Sequence, residues 1–237
     1  MNPLPLRILF FGKAEDGFCQ RAAEYLSLHV TQSRIYFGKR GDSFPVVDRG
    51  EDFDYVISYL SPWIIPGELL GRARCAAINF HPGPPEYPGI GCTNFAIYDG
   101  VAIFGVTCHH MNPKVDTGRI IRVLRFPLYP TDTVLSLTWR CHAYIGYLFY
   151  EILDLIISRK TLPTSPEKWT RRPFRRSELN ELCRLTPDMS AEEVQRRIRA
   201  TTFPGYRSAS FDSAGLPGPS PGNLKEPQAC DPEESNS

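Results

Sequence analysis

Short runs of β-branched and aromatic residues, separated by segments of helical spacing, constrain this chain more than any other feature. Arg7 to Phe11 (RILFF) ends at Gly12, and the stretch from Glu15 to Leu28 then places Phe18, Ala22, Tyr25 and Leu26 three or four residues apart. That is a strand followed by a helix with one buried face. Ile35 to Phe37, Tyr55 to Leu60 and Ala76 to Phe80 are further short runs bounded by polar and turn residues. The alternation predicts an α/β fold: a doubly wound, Rossmann-like, mostly parallel sheet. Two more strands are expected, Phe104 to His109 after the turn at Asp99-Gly100, and Arg119 to Phe126 after Asp116-Thr117-Gly118.

The longest apolar stretch, Thr133 to Ile157, has the length of a membrane span, but Arg140, His142, Glu151 and Asp154 interrupt it. Charges at the centre of a bilayer are costly. Val134, Leu137, Cys141, Ile145, Leu148, Ile152 and Leu155 recur every three or four residues, so the stretch is read as a core helix, with Asp132 or Thr131 as its N-cap.

Residues 1–160 are thereby assigned to one domain. Residues 161–211, rich in proline and arginine with a short helix from Ala191 to Ala200, are assigned to a C-terminal appendage. After Phe211 the chain is mostly Gly, Pro, Ser, Asn and Glu, and residues 212–237 are expected to be a disordered tail, since so few apolar residues bury too little surface to order a chain.

A net charge of +1 and 22% charged residues give no general bias toward nucleic acid. The start of the chain has no signal-peptide pattern, and the seven cysteines, odd in number and without a C-x-x-C pair, suit reduced thiols, so a cytoplasmic protein without disulfides is expected. Gly12 to Gly17 matches neither the G-x-G-x-x-G nor the G-x-x-x-x-G-K-[ST] spacing, so neither a dinucleotide nor ATP is indicated. Cys108, His109 and His110 do not make a metal site, because neighbouring residues on a strand point to opposite faces. No metal is expected.

In an open α/β sheet reacting groups collect at the carboxyl ends of strands. Asn79 and His81 stand two apart at such an end, on one side of the strand, and Pro82-Gly83 forces a turn after them. Asp116 lies on the loop following the strand that ends at His109. An amide, an imidazole and a carboxylate brought together can donate to a developing oxyanion, accept a proton and orient the imidazole, the roles acyl transfer to an amine requires. On spacing alone an N-x-H at a strand end is as readily a hydrogen-bonded turn.

The pair Asn79-x-His81-Pro82 and Val115-Asp116-Thr117-Gly118, followed by strand Arg119-Ile120-Ile121, resembles the folate-dependent formyltransferase family over Arg7 to Pro127. The resemblance implies that Asn79, His81 and Asp116 are catalytic and that 10-formyltetrahydrofolate is the co-substrate. Trp63, Ile64 and Ile65 resemble the segment that holds the pterin, and Lys114 and Val115 resemble the opposite wall of that slot. The run His81-Pro82-Gly83-Pro84-Pro85-Glu86-Tyr87-Pro88-Gly89 departs from the H-P-S-L-L-P run of purine and tRNA members and is similar to that of sugar N-formyltransferases.

A tRNA member would be expected to carry a second basic domain where only residues 161–211 follow here, and a hydrolase member would carry a domain ahead of the first strand. Gly12 to Gly17 also lacks the Gly-Ser-rich phosphate loop of the purine member. The implied acceptor is therefore a dTDP- or GDP-linked amino sugar, with glycinamide ribonucleotide or another small amine, and a non-catalytic folate or nucleotide-sugar binder, as alternatives. Tyr87 and Asn94 are expected to line the amine pocket. Trp169 and Arg171, in the basic segment Lys168 to Arg176, are candidates for stacking on the base and contacting the diphosphate, with a solvated linker as the other reading. The resemblance also implies a homodimer formed through the C-terminal region.

Overall fold

The computed structural model describes residues 6–48, 50–206 and 208–211; the expected tail, Cys230 and the first five residues lie outside them. Eight strands and six helices follow in chain order: β1 (Arg7–Lys13), α1 (Gly17–His29), β2 (Gln32–Gly38), β3 (Phe53–Tyr59), α2 (Gly67–Leu70), β4 (Ala73–His81), α3 (Cys92–Asp99), β5 (Ile103–His110), β6 (Ile120–Pro127), α4 (Val134–Ile157), α5 (Arg176–Leu182), β7 (Arg184–Leu185), α6 (Ala191–Thr201) and β8 (Ser210–Phe211). Six strands form the central sheet in the order β2-β1-β3-β4-β5-β6. The first four run parallel, as the alternating pattern predicts.

β5 reverses, pairing antiparallel with both β4 and β6. The reason is length. Eight residues of α3 span about 12 Å, whereas the nine residues of β4 cover roughly 30 Å, so the chain never returns to the far edge of the sheet and re-enters from the end where β4 stopped.

The core helix is α4. It buries Leu137, Cys141, Ile145, Leu148 and Ile152 as the spacing predicts, and Phe149, Leu153 and Ile156 with them, while Leu155 is only partly buried. The Phe149 ring meets Phe10, Tyr59 and Phe80 with centroids 6.0, 5.4 and 5.4 Å away. The N-cap is Thr133 rather than Asp132 or Thr131: its hydroxyl accepts from Ser136 N at 3.1 Å, and Ser136 Oγ accepts from Thr133 N at 3.0 Å. Asp132 is committed elsewhere, its carboxylate taking both ends of the Arg140 guanidinium at 2.8 Å. Among the described residues no helix is long and apolar enough to cross a membrane.

Beyond residue 160 the described chain packs on the same core as the strands and α4. After α4 the chain crosses back over the sheet as a strap. Ser165 N donates to Ile120 O at 3.0 Å, Thr170 N to Pro85 O at 3.2 Å, and Phe174 N to Pro88 O at 2.8 Å. Phe174 stacks on Phe95 with centroids 3.8 Å apart, and Phe174, Leu182 and Ala200 belong to the same buried cluster as the strands and α4.

Candidate active site

Alternation along β4 puts Asn79 and His81 on one face of the sheet, while Ile78 and Phe80 point into the core beneath α4. The antiparallel pairing then sets Asn79 opposite His109 and His81 opposite Thr107. Four polar side chains thus share one patch of the sheet, and the loop from β5 to β6 brings a carboxylate to it.

That carboxylate is Asp116, held in the left-handed region at φ +46°, where Asp is among the residues that tolerate it. Gly118 makes the loop possible, because a Cβ there would fall onto the carbonyl oxygen of His110. Asp116 Oδ2 accepts from Gly89 N at 2.7 Å and lies 3.3 Å from His81 Nδ1. Its other oxygen, Oδ1, lies 3.2 Å from His109 Nε2, which in turn is 3.1 Å from Asn79 Nδ2. The structure therefore brings Asn79, His81 and Asp116 into one polar cluster, in which His109 bridges Asn79 to Asp116 and His81 faces the other carboxylate oxygen.

The second nitrogen of each imidazole is also held. His81 Nε2 donates to Tyr87 O at 2.8 Å, and His109 Nδ1 donates to His110 O at 2.8 Å. Gly83 leaves the room His81 needs, since a Cβ there would sit 2.7 Å from His81 Nε2. From the strap, the Trp169 indole approaches both rings, with centroids 5.9 Å from His81 and 5.0 Å from His109, and its N–H donates to Gly118 O at 2.8 Å. Trp169 lies against the imidazoles themselves. His81, His109 and Asp116 are all buried, and Asn79 is half-buried.

Burial pushes the Asp116 carboxyl up, but His81, the hydrogen bond and charge of His109, and the Gly89 N–H outweigh it and hold the group well below the usual carboxylate range. A depressed carboxyl stabilises the fold at pH values above its unfolded-state pKa of about 4, and that stabilisation is lost as pH falls through the folded-state value. Asp116→Asn is therefore expected to be less stable than the parent at pH 7, with the gap closing as the pH is taken below about 4; urea midpoints measured across this range read it directly. A gap that stays constant would mean that the charge on Asp116 contributes nothing.

The other candidates are placed as follows. Tyr87 is 7% exposed and belongs to the core: its ring stacks on Phe174 and its hydroxyl donates to Asp99 Oδ2 at 2.8 Å, so it does not line an open pocket. Asn94, at the start of α3, donates to Ala200 O at 2.8 Å and ties α6 to the body. Arg171 lies over the Phe174 ring at 3.3 Å and faces Glu178 at 3.4 Å. Trp63 packs edge-on against Phe11 and Phe44 and donates to Asp42 O at 3.0 Å. Ile65 is core, whereas Ile64 is 71% exposed; on the opposite segment Lys114 and Val115 are both exposed. The two segments approach one another where Gly67 meets Pro113, the Cβ position of the glycine lying 3.6 Å from the proline ring. Among the described residues no three His, Cys, Asp or Glu side chains are grouped to hold a metal.

Residues 50–152, the stretch that contains Asn79, His81, His109 and Asp116, match the formyl transferase family. Over this stretch the chain is similar to that family. Over 149 residues the chain is 30% identical to the methionyl-tRNA formyltransferase of Latilactobacillus sakei subsp. sakei, covering 62% of this chain and 46% of that protein. Over 159 residues it is 28% identical to the GDP-perosamine N-formyltransferase of Brucella melitensis, covering 67% of this chain and 60% of that one. The chain thus spans about half the length of the curated relatives it matches. The N-formyltransferase of Helicobacter canadensis, solved with folinic acid and dTDP-3-aminofucose, superposes with a TM-score of 0.65 at 20% identity over 82% of this chain and 80% of that one. At that identity the likeness shows a shared fold.

In the sequence His109 stands out only as a metal-ligand candidate beside His110, because the antiparallel register that sets it against Asn79 is not encoded by spacing within β5.

Proposed function

We propose that this chain transfers the formyl group of 10-formyltetrahydrofolate to the amine of a dTDP- or GDP-linked amino sugar. The observation that carries the reading is the cluster itself: an amide, an imidazole and an ionised carboxylate within hydrogen-bond reach at the end of β4. The formyl transferase match of residues 50–152 supplies the reaction class. A sugar acceptor is supported by the GDP-perosamine relative, by the neighbour solved with folinic acid and dTDP-3-aminofucose, and by the His81 to Gly89 turn.

In this reading the amine attacks the formyl carbon, the carbonyl oxygen takes up negative charge, and the Asn79 amide donates to it. His81 takes the proton that the amine loses, or shares in stabilising the oxyanion, and Asp116 orients the imidazole and helps pass the proton to the departing folate nitrogen. The folate would lie between the segments of Trp63, Ile64 and Ile65 and of Lys114 and Val115; the exposed Ile64 and Val115 side chains suit the rims of such a slot. Trp169 and the arginines after it stand on the strap beside the cluster, where an acceptor's diphosphate would pass. A homodimer made through residues 161–211 is part of the same proposal.

The test is to incubate the protein with 10-formyltetrahydrofolate and dTDP-, GDP- and UDP-linked amino sugars, with glycinamide ribonucleotide and methionyl-tRNA alongside, and to look for a gain of one formyl mass. Product on one nucleotide-linked sugar is expected. Product on methionyl-tRNA alone, the acceptor named for the Latilactobacillus relative, would overturn the sugar reading.

A further inference from the structure

His109 sits where two demands collide. Its Nδ1 donates to the carbonyl of His110, so that nitrogen carries a hydrogen. Its Nε2 faces both the Asn79 amide at 3.1 Å and Asp116 Oδ1 at 3.2 Å. If Nε2 is bare, it accepts from the Asn79 NH2, but its lone pair then points at an ionised oxygen that can only accept, in a spot shut off from water. A hydrogen on Nε2 gives Asp116 Oδ1 a donor. The Asn79 amide, whose two ends are alike in size, then turns half about its last bond so that its oxygen faces the same hydrogen.

The two arrangements differ in what they offer a substrate. With Nε2 bare, the NH2 of Asn79 is used inward and its oxygen faces out, the wrong polarity for a developing oxyanion. With Nε2 protonated, the NH2 faces out. Resting on the formyl-transfer reading above, we propose that His109 is a positioning residue, whose Nε2 hydrogen holds Asp116 Oδ1 and the Asn79 oxygen together and so turns the Asn79 NH2 toward the reacting carbonyl. The groups packed around His109 fit this role: Asp116 from the β5–β6 loop supplies the negative charge, His81 shares that carboxylate from its other oxygen, and the Trp169 indole stands nearly perpendicular to the ring at 89°.

The experiment has two arms. In the kinetic arm, H109L removes the hydrogen and H109Q keeps an N–H donor on a flexible arm. H109L is expected to lose about 10²- to 10³-fold in kcat, the size of a lost oxyanion donor, with the folate KM unchanged. H109Q should recover part of that loss, and H109L combined with Asn79→Ala should be no slower than Asn79→Ala alone, because the two act as one unit. Losses that multiply, or an H109L enzyme as fast as the parent, would overturn the proposal. In the second arm, nitrogen NMR of the histidine-labelled parent protein at neutral pH, assigned by the signal missing in H109Q, reads the ring directly. Two protonated ring nitrogens at His109 support the proposal and a bare Nε2 overturns it, even should no acceptor prove to be formylated.

Discussion

Replacing His81 with alanine is expected to lower the rate of formyl transfer by about 10²- to 10⁴-fold, the usual contribution of a positioned acid–base group. The chain should stay folded. His81 gives up a hydrogen bond to Tyr87 O and its place beside Asp116. Leaving such buried partners unpaired costs about 1–3 kcal/mol each, against a total stability of about 5–15 kcal/mol for a typical domain. Turnover measured beside the thermal midpoint separates the two effects: a large fall in kcat with a modest fall in Tm is the expected pattern. Near-normal turnover would mean that the imidazole only braces the turn after β4, the bland reading an N-x-H invites. Both ring nitrogens are engaged in the structure, and Nε2 carries the hydrogen it donates to Tyr87 O, so a His81 acting as base must first give that hydrogen up.

The largest effect on stability is expected at Phe149, on the opposite face of the sheet. It is fully buried, and its ring fills the junction of α4 with β1, β3 and β4 through Phe10, Tyr59 and Phe80. Phe149→Ala should cost about 3–5 kcal/mol, because the transfer energy of the ring is lost and a cavity is left that these aromatic neighbours cannot close. Urea unfolding followed by far-UV circular dichroism reads this as a fall in the midpoint at constant slope. A loss below about 1 kcal/mol, within the range of an ordinary surface change, would mean that α4 does not pack as described.

These two positions also mark what the sequence made legible. The α4 face was readable from period alone, since residues three and four apart on a long helix fall on one side, and Leu137, Cys141, Ile145 and Leu148 are buried as that period requires. Asn79 and His81 were readable because strand alternation and the Pro82-Gly83 turn are both local. Long-range partners were not. The reversal of β5 follows from the length of α3, and with it the meeting of His109 and Asn79. Trp169 looks like a residue of a basic linker until the backbone bonds of the strap, to Ile120, Pro85 and Pro88, lay it across the imidazoles. Tyr87, polar and next to the turn, has the look of a pocket residue, yet Phe174, 87 residues further on, covers its ring. In each case the deciding contact comes from a segment distant in the chain, which spacing near the residue does not report.

The account stands on the claim that the cluster at the end of β4 moves a formyl carbon onto an amine. The direct measurement is to supply 10-formyltetrahydrofolate labelled with carbon-13 in the formyl group, together with the nucleotide-linked amino sugars, and to follow that carbon by NMR in the parent protein and in Asn79→Ala. The account predicts a new formamide resonance with the parent protein and almost none with the variant. Release of the label as free formate, or a formamide signal that grows equally fast without Asn79, would contradict it.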